Sequence, residues 1–156
     1  MFESARRSVA VLALAFWLGG LTFYAGVVVP IGSQIHGSVQ QGFVTQEVTR
    51  WLNLIGVGVL AILLWDIFRQ RTRLKLAAFF VMAGCQLALF LLHPQLDALL
   101  DADNRVVLDS TSFYAWHRWY LIVTAALWAA GLVHLVVLSC GRSNATEDKA
   151  QRHHEA

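Results

Sequence analysis

Four long apolar stretches, each almost free of charge, constrain this chain more than any other feature. The first is uncharged from Ser8 to Val29, long enough at about 1.5 Å per helical residue to cross a hydrocarbon layer of about 30 Å. The second, Trp51 to Phe68, carries only Asp66 as a charge. The third runs from about Lys75 to Leu92, and the fourth, Trp119 to Cys140, encloses His134. These runs do not alternate and exceed the roughly 10 residues of a tilted barrel strand, so helices are predicted. Composition agrees: of 156 residues, 57% are hydrophobic and 14% charged, more apolar surface than a core of this size can hide from water. The expected fold class is an all-α, integral membrane antiparallel four-helix bundle over residues 1–140, with spans at 8–29, 51–68, 75–92 and 119–140. Residues 141–156 are polar, lack a periodic apolar face and are expected to form a disordered tail.

The Lys and Arg distribution sets an expected orientation. Nine of the twelve lie at the N-terminus, in the connection between spans two and three, or in the tail, while Arg50, Arg105 and Arg118 lie on the other side. Positive-inside logic places both termini in the cytoplasm and the chain in the inner (plasma) membrane. The first apolar run is longer than the core of a removable signal peptide, so it reads as an uncleaved anchor. A net charge of +2 split between opposite faces gives no nucleic-acid footprint. The implied partner is the lipid bilayer, with a homo-oligomer or a membrane partner left open. Cys85 and Cys140 fall at different depths, which one disulfide cannot join.

Between the spans, Pro30 is expected to end the first helix, and Gly32, Gly37 and Gly42 offer turns. Val44, Val48, Trp51 and Ile55 recur at helical steps, so the second helix is predicted to begin outside the membrane with Glu47 and Arg50 on its wet side. Asp66, three residues before Arg69, reads first as a surface ion pair and second as a proton or cation relay. After His93-Pro94 a further helical turn or two is expected on the surface, then a turn at Asp103-Asn104, with Asp109, Ser110 and Ser112 as caps for the last helix. Close packing is expected where small residues sit one turn apart: Ala15 with Gly19, Thr22 with Gly26, Gly84 with Ala88, Ala125 with Ala129, Ala126 with Ala130. Trp51, Trp65, Trp116, Trp119 and Tyr120 lie at the span boundaries, as an aromatic belt does.

Histidine is the residue type best able to build a site here. His36, His93 and His117 fall on one side at similar depth, and neutral imidazole ligates metals. Joined by Glu47 and Asp97 they form a candidate metal set, while His93 and His117 alone are candidate axial ligands of haem b. Ordinary hydrogen-bonded histidines are the plainer alternative. His134, 17 residues beyond His117 and so about 25 Å along the helix, belongs to another layer, where Gln86 or Asp66 is its expected partner. No nucleophile elbow, phosphate loop or zinc-protease motif occurs, and no catalytic residue is assigned. The expected function is a multi-pass membrane protein without catalysis that binds a metal ion at its outward face. The alternatives are a b-type haem protein in electron transfer or oxidation, and a structural or assembly subunit.

Trp17-Leu18-Gly19-Gly20, followed by Phe23 and Pro30, resembles the first helix of the four-span copper-resistance-D-like superfamily. Phe113 and His117 match the Phe-x3-His at the opening of the last helix in its uncharacterised branch, whose animal member is associated with cisplatin resistance. These motifs cover roughly a third of the chain. The resemblance implies a four-helix membrane bundle, a link to metal or drug tolerance and a role for His117. It supplies no reaction, and the early first-helix histidine of the copper-resistance proteins has no counterpart between Val9 and Leu14.

Overall fold

Phe16 is 82% exposed and Leu12 69%, whereas Asp66 and His134 are fully buried. Polarity therefore runs opposite to that of a water-soluble domain. Apolar side chains cover the outside, and Arg6, Gln41, Asn53, Asp66, Lys75, Gln86 and His134 are inside. An all-apolar perimeter with polar groups turned inward is the arrangement that lipid selects. Four helices of the described chain are long and apolar enough to cross a membrane. This is an all-α membrane bundle.

The computed structural model describes residues 2–69, 72–101 and 104–154, with side chains described from 3 to 139 within those ranges. The first span consists of α1 (Phe2–Phe23), a π-helical turn (Tyr24–Val28) and α2 (Val29–His36). The second is α3 (Ser38–Arg69), the third α4 (Arg73–Asp97) and the fourth α5 (Ser110–His154). Neighbours are antiparallel and the ring closes: α1 packs on α3 and α5, and α4 packs on α3 and α5. A short hairpin of β1 (Leu100–Asp101) and β2 (Val106–Val107) joins α4 to α5, pairing Leu100 with Val107 and Asp101 with Val106. One end of the bundle therefore holds the hairpin and the α2–α3 turn. The opposite end holds the start of α1, the α3–α4 connection and the region of Leu138.

Local chemistry explains the element ends. Pro30 does not terminate the first span as expected; it sits at the opening of α2, just past the π turn. There its missing N–H leaves no gap, because the first helical turn has orphan donors anyway and the π turn has already broken the α register. The real reversal is Gly37, whose φ of 83° is open to a residue without Cβ, and Gln41 N–H then donates to its carbonyl at 3.1 Å. So the connection expected to be a loop with three glycine turns is helical with one. Thr72 caps α4 by accepting from Lys75 N–H at 3.3 Å. Asp109 Oδ1 caps α5, accepting from Thr111 N–H at 3.0 Å and Ser112 N–H at 3.3 Å. The surface turns expected after Pro94 prolong α4 to Asp97. Asn104 closes the hairpin by donating to both carboxylate oxygens of Asp101, at 3.0 and 2.8 Å. Helix α5 continues to His154, across most of the segment 141–156 expected as a disordered tail; residues 155 and 156, Asp103 and the side chains from Cys140 onward lie outside the described residues.

The core layer holds Leu14, Trp17 and Leu18 of α1, Val59 and Leu63 of α3, Met82 and Leu89 of α4, and Leu127 of α5. Tight helix approaches occur at glycines other than the expected ones. A Cβ on Gly56 would stand 2.7 Å from Gln86 and 2.8 Å from Trp17, and one on Gly131 would stand 2.9 Å from Leu18. Gly19, Gly26 and Gly84 instead border open space. Spacing of small residues gives candidates on every helix face, and only tertiary packing selects the face that is used. Trp51, Trp65, Trp116 and Trp119 are all exposed along the perimeter.

Candidate functional site

At the hairpin end the four spans diverge around a cavity of about 400 Å³. Each element brings something to it for a local reason. The π turn of the first span carries Tyr24 into the lining, where its hydroxyl donates to Thr45 Oγ1 at 3.2 Å. A polar stripe on α3, made of Thr45, Gln46, Thr49 and Asn53 at helical steps, runs from the cavity wall toward the bundle centre. Thr45 and Thr49 satisfy their own hydroxyls on carbonyls one turn back, at 2.8 and 2.7 Å, which lets them line an apolar space without an unpaired donor.

His93 and Asp97 lie one turn apart on α4, with Nε2 3.8 Å from Oδ2. Gln46 Nε2 donates to the other oxygen of Asp97 at 2.7 Å, tying α3 to α4. From α5, Tyr120 faces the His93 ring at 6.3 Å between centroids, and His117 stacks flat on Phe113 at 5.8 Å with 9° between planes. Phe-x3-His is thus a physical unit, because residues four apart on a helix share a face and the phenyl ring fixes the imidazole plane. Below the cavity floor Asn53 Nδ2 donates to Tyr120 Oη at 3.0 Å, and Gln86 Nε2 to Asn53 Oδ1 at 3.4 Å. This buried relay of three side chains from three helices fixes where the Tyr120 hydroxyl stands.

The cavity gathers three of the five nominated metal-set residues, His93, Asp97 and His117. His36 is exposed at the end of α2 and Glu47 faces outward beside Arg50 at 4.0 Å, so neither lines it. Among the described residues no three His, Cys, Asp or Glu side chains stand together as a ready metal set. Tyr24, Gln46 and Tyr120 also line the cavity without being site residues that the sequence predicts, although the polar stripe of α3 is legible as helical spacing in an otherwise apolar helix. Most of the lining is aliphatic or aromatic, with the polar groups converging from α3, α4 and α5. Such a chamber can enclose an apolar body and hydrogen-bond a single polar head.

Asp66 makes no surface pair with Arg69, which is exposed; it is buried between Arg6 Nε at 3.3 Å and Lys75 Nζ at 3.2 Å. Three residues of spacing make Arg69 a neighbour along the helix, but the buried face of α3 carries Asp66 inward, where two cations from other helices meet it.

Protein-family models, curated proteins and solved structures contain no match to this chain. The class defined by its own fold is a four-span helical membrane protein with a cavity at one end and a buried charge cluster at the other.

Proposed function

We propose that this is a multi-pass protein of the inner (plasma) membrane, both termini cytoplasmic and hairpin end outward, that binds a small lipid-soluble molecule with one polar head. The observation that carries this reading is the cavity of about 400 Å³, within the size range of small-molecule sites, with its apolar walls and its few convergent polar groups. The cationic bias of the opposite end supports the orientation. His93 and Tyr120 are the head-group contacts, Asp97 holds His93 in register, and His117 closes the side wall against Phe113. The ligand reaches the cavity from the outer leaflet, where its apolar part is already dissolved.

The test is extraction of small molecules from full-length protein purified in mild detergent, read by mass spectrometry against a His93→Ala, His117→Ala double variant. A lipophile enriched with the wild type and lost from the variant is expected. Equal extracts overturn the reading. A second reading, a metal ion held by His93, Asp97 and His117, is favoured by those three residues sharing one cavity, and haem b would use the two histidines. Metal analysis and a visible spectrum of the same sample distinguish them: stoichiometric metal or a Soret band replaces the lipophile as ligand.

A further inference from the structure

The opposite end of the bundle contains a cluster that the cavity does not use. Arg6 from α1, Asp66 from α3, Lys75 from α4 and His134 from α5 are all buried, the first and third at 7% and 5% exposure and the other two at 0%. One residue therefore comes from each span. Asp66 accepts from Lys75 at 3.2 Å and lies 3.3 Å from Arg6 Nε, so a single carboxylate faces two basic side chains. Glu3, the other carboxylate of α1, is exposed. With Arg6 and Lys75 both charged, Asp66 ionised and His134 neutral, the cluster carries one uncompensated positive charge in a low-dielectric interior, an arrangement strongly unfavourable without a counter-charge.

The hydrogen-bond inventory shows the same excess. Arg6 Nε and Nη2 have no hydrogen-bond partner among the described residues, and both ring nitrogens of His134 are equally without one. His134 lies within electrostatic reach of both Lys75 and Asp66. A neutral imidazole has one N–H to donate, and a guanidinium has only donors. Arg6 Nε already faces Asp66 Oδ1 at 3.3 Å, which leaves Arg6 Nη2 and the imidazole N–H as free donors against a single imidazole nitrogen as free acceptor. Arg7, the neighbouring cation, is engaged elsewhere, its guanidinium donating to the carbonyls of Leu138 and Ser139.

We propose that this cluster is a binding site for a small monovalent anion, held by Arg6 and the His134 N–H. One negative charge neutralises the surplus, and an acceptor-only ligand satisfies the orphan donors. Burial restricts the occupant to a compact free anion, because a lipid phosphate cannot follow its acyl chains into a closed helix junction. The site is independent of the cavity, from which a layer of Leu14, Leu63, Met82 and Leu127 separates it.

The experiment is thermal unfolding of the purified full-length protein in sodium chloride against sodium gluconate at equal ionic strength, with nitrate as a second small anion. Chloride and nitrate are expected to raise Tm saturably, by about 3 °C or more, where gluconate does not. Arg6→Gln removes the surplus charge and abolishes the difference; Asp66→Asn enlarges the surplus and moves half-saturation to lower chloride. Should Arg6→Gln fail to fold, His134→Leu, which keeps the volume without the N–H, serves in its place, and chloride NMR line broadening on the wild type reads binding directly. Identical Tm in the three salts with no line broadening, or a full chloride response in Arg6→Gln, overturns the site. So does a stabilisation that follows anionic lipid in nanodiscs and ignores free chloride.

Discussion

The two ends of the bundle solve the same problem, polar side chains inside a membrane protein, in different ways. At the hairpin end the polar groups are neutral or half-exposed, and most find partners: Thr45 and Thr49 on backbone carbonyls, Gln46 on Asp97, Asn53 on Tyr120, with Gln86 Oε1 below the floor left unpaired among the described residues. The helices stay apart and leave a chamber. At the charged end ionisable groups are buried and closely packed, with two basic side chains on one carboxylate and a histidine without a hydrogen-bond partner among the described residues. Satisfied polar groups tolerate space, whereas a buried charge pulls every neighbour of opposite sign inward. One end leaves room for an apolar ligand, and the other draws one polar side chain from each span into a closed junction.

Removing one member of the ionic cluster is the most severe way to break that contrast. In Asp66→Ala, Arg6 and Lys75 lose their common partner, and a destabilisation of about 3–5 kcal/mol is expected in detergent unfolding. Filling the tight crossing comes next: Gly56→Ala drives a methyl into Gln86 and Trp17, an overpacking cost of about 1–3 kcal/mol by the same measurement. Tyr120→Phe sharpens the comparison, since it strips Asn53 of its acceptor for about 1 kcal/mol yet should leave any chloride dependence of Tm untouched. A chloride response altered by Tyr120→Phe would show the two ends to be one coupled system.

The smallest effect is expected outside the spans. Asp109 accepts from Ser112 and Thr111, and those hydrogen bonds hold its carboxyl below the usual Asp range. A folded-state value below the unfolded one means that its stabilisation is complete above the ordinary Asp value of about 4 and is lost as pH falls through the lower folded value. A pH series of Tm should therefore show wild type and Asp109→Asn converging only in the acid range.

Much of this architecture is legible in the residues alone. The length and continuity of the apolar runs dictate four spans, because a helix is the solution that satisfies its own backbone in lipid. The capping role of Asp109 and the shared end of His93, Asp97 and His117 follow from local spacing, which a helix converts directly into position. What escaped were the features that depend on which face turns inward. Pro30 looked like a stop because a sequence does not announce a π turn. Gly19 and Gly84 looked like contact points because small residues are common on both faces of an apolar helix. Asp66 looked like a partner of Arg69 because periodicity in an all-apolar helix gives no hydrophobic side by which to orient it.

The sequence by itself determined the medium, the number of crossings and the end of the bundle on which each polar residue falls, since all three depend on composition and distance along one helix. Tertiary structure alone decided that His36 and Glu47 stand apart from His93, Asp97 and His117, and that Arg6, Asp66, Lys75 and His134 share one buried junction. The physical reason is rotation: a helix apolar on every side can turn any face to its neighbours, and its rotational setting is fixed only when all four pack at once.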